Sequence, residues 1–518
     1  MAKITCYDGV GCIGGNKILL EDGESRLWLD FGLDFGRMGA YYEEYLKPKS
    51  CIGLYEPVQM GLLPPIKDLY RTDLLCELAD PFEGTQAQSL GKVDGILLSH
   101  AHMDHIGCLH YVRQDIPIYC SAMTLAIAKV TQDTGGDQYC YTSPYEPSET
   151  KELRAAYYGR NPSVAKQFVF VNETPSEAFN EFWGMTPSSL TDKGRKHVPS
   201  AITTASTCGG LEIRRFPVDH SIYGANAWAI KTSAGWVVYS GDLRCHGTQA
   251  NLTWKFAEEV AALKPRLLII EGTRIEKDSK GTEGTATEDQ AKELALAEVK
   301  KAKGLVIADF GPRNIERLVS FLEIAKETGR KLILLPKDAY LLEKMSLAGS
   351  GIPPLDDKAI LIYSKYEAAQ QNWKKLIKEK HSDSKFVTAA QVAKNQSKAI
   401  CCFSFFDINE LAYIKPVPGS IWIYSSCEPF NEEMKIDFER LNHWLAKYGI
   451  KYLGGNEEDR GNPFHVSGHA CPSDLLKLIE TINPQVVIPV HTEQAEVYTS
   501  LLKGISVNVH DPSQPLDL

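Results

Sequence analysis

Between residues 276 and 455 the chain alternates helix-like segments with short, continuous apolar runs. Thr287 to Lys303 reads as a helix: it opens with a Thr-x-x-Gln capping box (Thr287, Gln290) and closes at Gly304. The apolar run Leu305 to Phe310 follows, then a second helix-like stretch, Asn314 to Thr328, stopped by Gly329. Further apolar runs lie at Lys331 to Leu335, Ala359 to Tyr363, Ala399 to Phe403 and Ile421 to Tyr424. Strands that are apolar throughout belong in a sheet covered on both faces, which is the habit of parallel sheets. The pattern therefore predicts a mostly parallel α/β domain, entered through a Gly/Thr/Lys-rich linker, Asp278 to Thr287.

The first 275 residues carry a different pattern. Short strands are predicted at Ile18 to Leu20, Ser25 to Leu29, Ile96 to Leu98, Trp236 to Tyr239 and Leu267 to Ile270. Two stretches rich in Tyr, Pro, Glu and Ser, Arg37 to Leu90 and Tyr141 to Thr207, read as insertions of loop and some helix rather than core strands. The tail returns to a helix, Ser473 to Ile482, and a strand, Val486 to Val490.

A length of 518 residues exceeds one ordinary core, so two or three packed units are expected. The 43% apolar and 24% charged composition is that of a globular enzyme. No apolar run approaches the length of a membrane span, and the start, MAKITCYDGVGCIGG, lacks the form of a secretory leader. The 13 cysteines include no CxxC pair and read as reduced thiols of a cytoplasmic protein. A net charge of −10 excludes an overall basic coat, so a polyanion would have to be held by a local patch or by metal ions.

The chemistry concentrates at predicted strand ends. Ser99-His100-Ala101-His102-Met103-Asp104-His105 places three histidines and an aspartate directly after an apolar strand. Imidazoles and a carboxylate fanning from one loop suit a divalent metal such as zinc. His220 closes the run Arg215 to His220, Asp242 follows the strand ending at Tyr239, and His491 ends Pro489-Val490-His491. Asp30 and Glu271 likewise close the strands before them. The carboxyl ends of several strands are where an α/β sheet gathers a site.

On these residues the chain resembles the metallo-β-lactamase fold: His100-x-His102-x-Asp104-His105, His220, Asp242 and His491 match its signature, and Asp30 matches the aspartate that orients a ligand histidine. The inserted α/β block, Glu271 before it and His465-Val-Ser-Gly-His469-Ala470 after it resemble the β-CASP subfamily of nucleases, and within it ribonuclease J. The resemblance implies an αβ/βα sandwich formed by residues 1–275, with insertions near 37–90 and 141–207. A β-CASP domain at 276–455 and a return segment at 456–518 would complete the chain. It implies two divalent ions, Zn2+ or alternatively Mn2+, one held by His100, His102 and His220 and the other by Asp104, His105 and His491, with Asp242 between them. Asp104 would also orient the attacking water, His469 would protonate the leaving oxygen with Glu271 behind it, and His465, Ser467, Gly468 and His469 would grip phosphate.

The expected function is hydrolysis of single-stranded RNA, 5′-to-3′ exonucleolytic, endonucleolytic or both. Alternatives are a nuclease for DNA or a specialised RNA, a small-molecule hydrolase, and an inactive RNA- or protein-binding scaffold. Three segments offer secondary phosphate contacts: the lysine-rich stretch Lys365 to Lys385 with Tyr366 and Trp373, which reads better as a solvated helix face; Arg313; and the loop Ser425 to Pro429. Ribonuclease J proteins carry a further self-association domain after the last ligand histidine, whereas only residues 492–518 follow His491 here, so that domain is expected to be missing. A protein partner or a second copy could instead dock through the two insertions.

Overall fold

A computed structural model describes residues 1–43, 45–49, 52–75, 80–135, 163–191, 197–282, 285–367, 370–426, 432–454 and 461–518. Parts of both insertions, and Cys427, Glu428 and Pro429 of the candidate phosphate loop, lie outside the described residues. Two compact units result: residues 1–245, 249–284 and 469–518 form the first, and residues 246–248 and 285–468 the second.

The first unit is built on two mixed sheets. One runs in the order Leu516–Asp517, Ala2–Asp8, Lys17–Asp22, Ser25–Leu29, Gly95–Leu97, Ile118–Cys120, Phe168–Phe170, Thr203–Thr204. The other runs Thr207–Cys208, Leu211–Pro217, Asn226–Thr232, Gly235–Tyr239, Leu267–Glu271, Val486–Val490, Asn508–Val509. Alternation along the strands decides what each face covers. Leu267 and Ile269 join Ile18, Leu20, Leu27 and Leu97 in a core between the sheets. Leu268 and Ile270 point the other way, into a second core with Phe256, Ala257 and Val260 of helix Ala250–Ala261 and Leu475, Leu478 and Ile479 of helix Pro472–Ile482. This is the metallo-β-lactamase sandwich: sheets face to face, with helices on the outside.

The segment 141–207 contains more sheet than its composition suggests. Phe168–Phe170, fully buried, pairs in parallel with Ile118–Cys120, and Thr203–Thr204 pairs with it in turn. Three apolar residues set among polar ones carry too short a pattern to reveal a core strand.

The second unit holds a seven-stranded, entirely parallel sheet in the order Phe386–Thr388, Ile360–Ser364, Lys331–Leu334, Ala399–Cys402, Val306–Asp309, Ile421–Tyr424, Lys451–Leu453. Helix Glu288–Lys301 starts on the capping box read from Thr287 and Gln290, and helix Ile315–Thr328 stops at Gly329. A buried ion pair, Arg317 to Glu288 at 2.7 Å, ties these helices together, and removing one partner of such a pair costs about 3–5 kcal/mol. All nine described cysteines are free thiols, Cys401 and Cys402 among them in the strand Ala399–Cys402. Among the described residues no helix is long and apolar enough to cross a membrane.

Candidate metal centre

Strand Gly95–Leu97 lies next to Ser25–Leu29, so the loops leaving both strands emerge side by side. The first supplies Ser99 to His105 and the second Asp30, which adopts a left-handed backbone (φ 56°) to turn its carboxylate inward. Asp30 is completely buried. Its Oδ1 accepts from Ser99 N at 2.7 Å, and its Oδ2 accepts from Ser99 Oγ at 2.6 Å, Tyr239 OH at 2.6 Å and His105 Nδ1 at 2.7 Å. The last bond fixes the proton of His105 on Nδ1 and turns Nε2 towards Asp242, 3.1 Å away.

Backbone packing holds this loop at van der Waals limits. A Cβ on Gly32 would stand 1.5 Å from the Asp104 carbonyl oxygen, and one on Gly14 (φ 86°) would stand 2.7 Å from Asp104 Cβ. Only glycine lets these segments pass so close. Gly15 N also donates to Asp104 O at 3.0 Å.

Five further groups converge on the loop: His220, Asp242, His491, Glu271 and His469. His220 and Asp242 follow strands Leu211–Pro217 and Gly235–Tyr239, which flank Asn226–Thr232 in the second sheet, and the buried pair Arg244 to Asp219 at 3.3 Å joins their loops. His491 leaves strand Val486–Val490 in a left-handed turn (φ 53°), its Nδ1 2.8 Å from the hydroxyl of Thr273.

 The other nitrogen of that ring, Nε2, lies 3.2 Å from Asp104 Oδ2. Glu271, buried at the end of its strand, faces Nδ1 of His469 with both carboxylate oxygens at 3.2 Å.

The side chains sort into two groups whose ligand-type atoms lie within 4.8 Å of one another: His100, His102 and His220, and Asp104, His105, Asp242 and His491. In the first, His102 Nδ1 is 3.0 Å from His100 Nε2 and 3.2 Å from His220 Nε2. Asp242 Oδ2 stands between the groups, 3.1 Å from His105, 3.5 Å from His491, 3.7 Å from His100 and 3.8 Å from His220. Its other oxygen, Oδ1, is buried and has no hydrogen-bond partner. A buried carboxylate oxygen without a partner, among imidazole nitrogens facing one another, is the arrangement a divalent cation satisfies. The residues present fit a metal.

Titration follows from the same crowding. Burial, then the neighbouring His105 and His220 charges, drive the His100 pKa well below its ordinary value, so it stays neutral and able to ligate. Burial opposes ionisation of Asp104 and Asp242, but His105 and His491 outweigh it and hold both carboxylates well below the usual range. Burial alone would lower His469; the Glu271 carboxylate outweighs it and raises the pKa to about 9. A further acidic group, Asp8, Cys12 and Asp34, is already neutralised by Lys17 on Asp8 at 2.9 Å and by Arg37.

The structure thus brings together Asp30, His100, His102, Asp104, His105, His220, Asp242, Glu271, His469 and His491. His465, Ser467 and Gly468 are half-buried in the second unit, where Ser467 O accepts from His246 Nε2 at 2.9 Å. Sequence reasoning missed Ser99, Tyr239 and Thr273, whose hydroxyls hold Asp30 and His491; single hydroxyl residues at strand ends carry no signal of their own. The lysine-rich stretch is a solvated helix, Asn372–Lys380: Trp373 is buried, Lys374 pairs with Glu367, and Lys380 lies 3.3 Å from Glu343.

Comparison with known proteins agrees with this geometry. Residues 462–510 match the family described as Zn-dependent metallo-hydrolase RNA specificity domain, and residues 65–136 match the β-lactamase superfamily domain. The chain is 23% identical to Ribonuclease J of Pyrococcus abyssi over 420 residues, covering 78% of this chain and 75% of that protein. It is 22% identical to Ribonuclease J of Helicobacter pylori (strain 26695), covering 98% of this chain but 58% of that protein. It is 24% identical to Ribonuclease J 2 of Streptococcus pyogenes, covering 98% and 74%. A crystal structure of a protein of unknown function from Enterococcus faecalis V583 aligns over all of both chains with a TM-score of 0.66 at 21% identity, which supports the fold. The chain carries a metallo-β-lactamase fold and is similar to ribonuclease J proteins across most of its length.

Proposed function

We propose that this chain is a metal-dependent ribonuclease that hydrolyses phosphodiester bonds of single-stranded RNA, acting from the 5′ end, internally, or both. The observation that carries the reading is the convergence of seven ligand-type side chains, among them Asp242 with its partnerless Oδ1, with His469 held beside them on Glu271. The match of residues 462–510 to an RNA specificity domain supports RNA as the substrate.

His100, His102 and His220 would hold one divalent ion, and Asp104, His105 and His491 a second, with Asp242 between them. Zinc suits the histidine-rich set, and manganese is the alternative. Bound there, the ions supply an activated water and neutralise charge on the scissile phosphate. The protein's own groups do the rest. Asp30 keeps the His105 proton on Nδ1, so that Nε2 is presented as a ligand. The carboxylate of Asp104 orients the attacking water. His469, held at Nδ1 by Glu271, gives a proton from Nε2 to the leaving 3′-oxygen; with a pKa of about 9 it carries that proton at neutral pH. His465, Ser467 and Gly468, on the segment leading directly into His469, grip a substrate phosphate through imidazole, hydroxyl and backbone N–H groups.

The test is incubation of the metal-reconstituted protein with matched RNA and DNA strands. Each strand carries a 5′ label and either a monophosphate or a hydroxyl at that end, and His102→Ala serves as the control. Cleavage of RNA that disappears in His102→Ala together with bound metal is expected. Release of labelled mononucleotide identifies 5′-to-3′ action, and internal fragments identify endonuclease action. Cleavage of DNA alone would move the substrate to DNA; no cleavage of either strand by fully metallated protein overturns the nuclease reading.

A further inference from the structure

The second unit exposes large aromatic rings at one edge. Phe406 is 84% exposed, Tyr366 65% and Tyr413 54%. All three lie beyond carboxyl ends of strands in the parallel sheet: Tyr366 follows Ile360–Ser364, and Phe406 and Tyr413 lie on the short helices Phe405–Glu410 and Leu411–Ile414 after Ala399–Cys402. Ligands of open α/β sheets gather at such ends.

The rings are held there. Lys365 Nζ meets Asp407 Oδ1 at 2.5 Å, so Tyr366 and Phe406 each sit one residue from the same ion pair. Asp407 Oδ2 also accepts from Ser404 N at 3.1 Å and Ser404 Oγ at 2.8 Å, which fixes the helical turn carrying Phe406. Tyr363 OH donates to Glu410 Oε2 at 2.7 Å, and Glu410 is the last residue before the helix bearing Tyr413. Tyr366 and Tyr413 have ring centroids 5.4 Å apart, tilted by 58°, and Phe405 supports Phe406 from 5.6 Å. The exposed Lys337 follows the adjacent strand Lys331–Leu334.

Water-exposed rings of this size, fixed by a buried polar frame, need a purpose. Charged side chains flank two of the rings in sequence: Lys365 and Glu367 beside Tyr366, and Asp407 beside Phe406. An apolar protein surface closing over the rings would strip water from Lys365 and Glu367, whose side chains are 27% and 26% exposed. A nucleic-acid strand would not, because its bases stack on the rings while its phosphates stay hydrated near lysine.

We propose that Phe406, Tyr366 and Tyr413 form a stacking platform for bases of single-stranded RNA, with Lys337 beside a backbone phosphate. The proposal rests on the ribonuclease reading and names where the second unit holds the substrate. Stacking of this kind tolerates any base, so the platform would bind RNA without choosing its sequence.

The test measures binding of a fluorescein-labelled, mixed-sequence RNA of about 20 nucleotides by anisotropy, in chelator so that no cleavage occurs, against the same RNA in duplex form. Phe406→Ala and Tyr366→Ala are each expected to weaken single-strand binding roughly 5- to 100-fold while leaving the already weaker duplex binding unchanged. Phe406→Trp should retain wild-type affinity and Phe406→Leu should not, which separates stacking from simple apolar contact. Unchanged affinity in the alanine variants, with wild type binding and cleaving RNA, overturns the platform alone. Wild type that neither binds nor cleaves RNA overturns the ribonuclease reading and the platform with it. A dimer in wild type that Phe406→Ala turns into monomer, with RNA affinity unchanged, identifies the patch as a protein interface and overturns the proposal.

Discussion

Asp30→Asn alters a single atom of the carboxyl group and leaves its volume unchanged, yet three donors converge on the atom that changes. Ser99 Oγ, Tyr239 OH and His105 Nδ1 all reach Oδ2 within 2.7 Å, while Ser99 N occupies Oδ1. If the amide keeps Oδ1 on Ser99 N, its NH2 replaces Oδ2 and confronts three groups that had been donating. The two hydroxyls can rotate to accept; the His105 ring must move its proton instead. That proton then lies on Nε2, pointing at Asp242 Oδ2 3.1 Å away, and the nitrogen is lost as a metal ligand. The loss of an orienting partner of this kind costs about 10- to 100-fold in metal affinity, and a buried donor left unmatched adds about 1–3 kcal/mol of destabilisation. Competition against a fluorescent zinc chelator reads the affinity, and thermal unfolding of the metal-free protein reads the second effect as a lower midpoint. An Asp30→Asn protein that binds metal within twofold of wild type would refute the assignment of Asp30 as the residue that sets the His105 tautomer.

Three other predictions concern the same centre. His469→Ala should keep its metal and cleave about 10²- to 10⁴-fold more slowly, and an unchanged single-turnover rate removes His469 from the mechanism. The pKa of His469 in the folded protein is raised from 6.5 to about 9, so its contribution to stability is complete below pH 6.5 and is lost as pH rises towards 9. In metal-free protein, Glu271→Gln should flatten that decline in a series of unfolding midpoints across this range; parallel wild-type and variant curves contradict the pairing. Gly32→Ala places a Cβ 1.5 Å from the Asp104 carbonyl oxygen, so it should displace the ligand loop and lower metal affinity, as the same chelator competition will report. Wild-type affinity would mean the loop tolerates the shift.

What could be read from the chain and what could not divide along physical lines. The strands apolar on both faces, such as Leu267–Glu271 and Ile421–Tyr424, stand out because nothing polar interrupts them. The antiparallel strands Ala2–Asp8 and Leu211–Pro217 escaped notice because one face is polar, as in LEIRRFP with its exposed Arg214, and Asn226–Thr232 because Asn226, Lys231 and Thr232 interrupt its apolar residues. The ligand-type residues were legible because histidine and aspartate clustered after a strand have few other uses. The hydroxyls of Tyr239 and Thr273 were not, since they reach Asp30 and His491 across 209 and 218 residues of chain. Phe406 was invisible for the opposite reason: a Phe beside an apolar strand reads as core until its exposure is known.

The separation in sequence of the metal-centre residues has a consequence in time. His491 meets Asp104 at a sequence separation of 387, with the whole second unit encoded between the sixth ligand-type residue, Asp242, and the seventh. Ribosomes add about 5–20 residues per second, so a growing chain spends tens of seconds with six of the seven groups made and the last not yet synthesised. During that interval Asp104 and Asp242 lack their neighbour His491, and strand Leu267–Glu271 lacks its neighbour Val486–Val490. The centre cannot close until the second unit and, after it, His491 have been made.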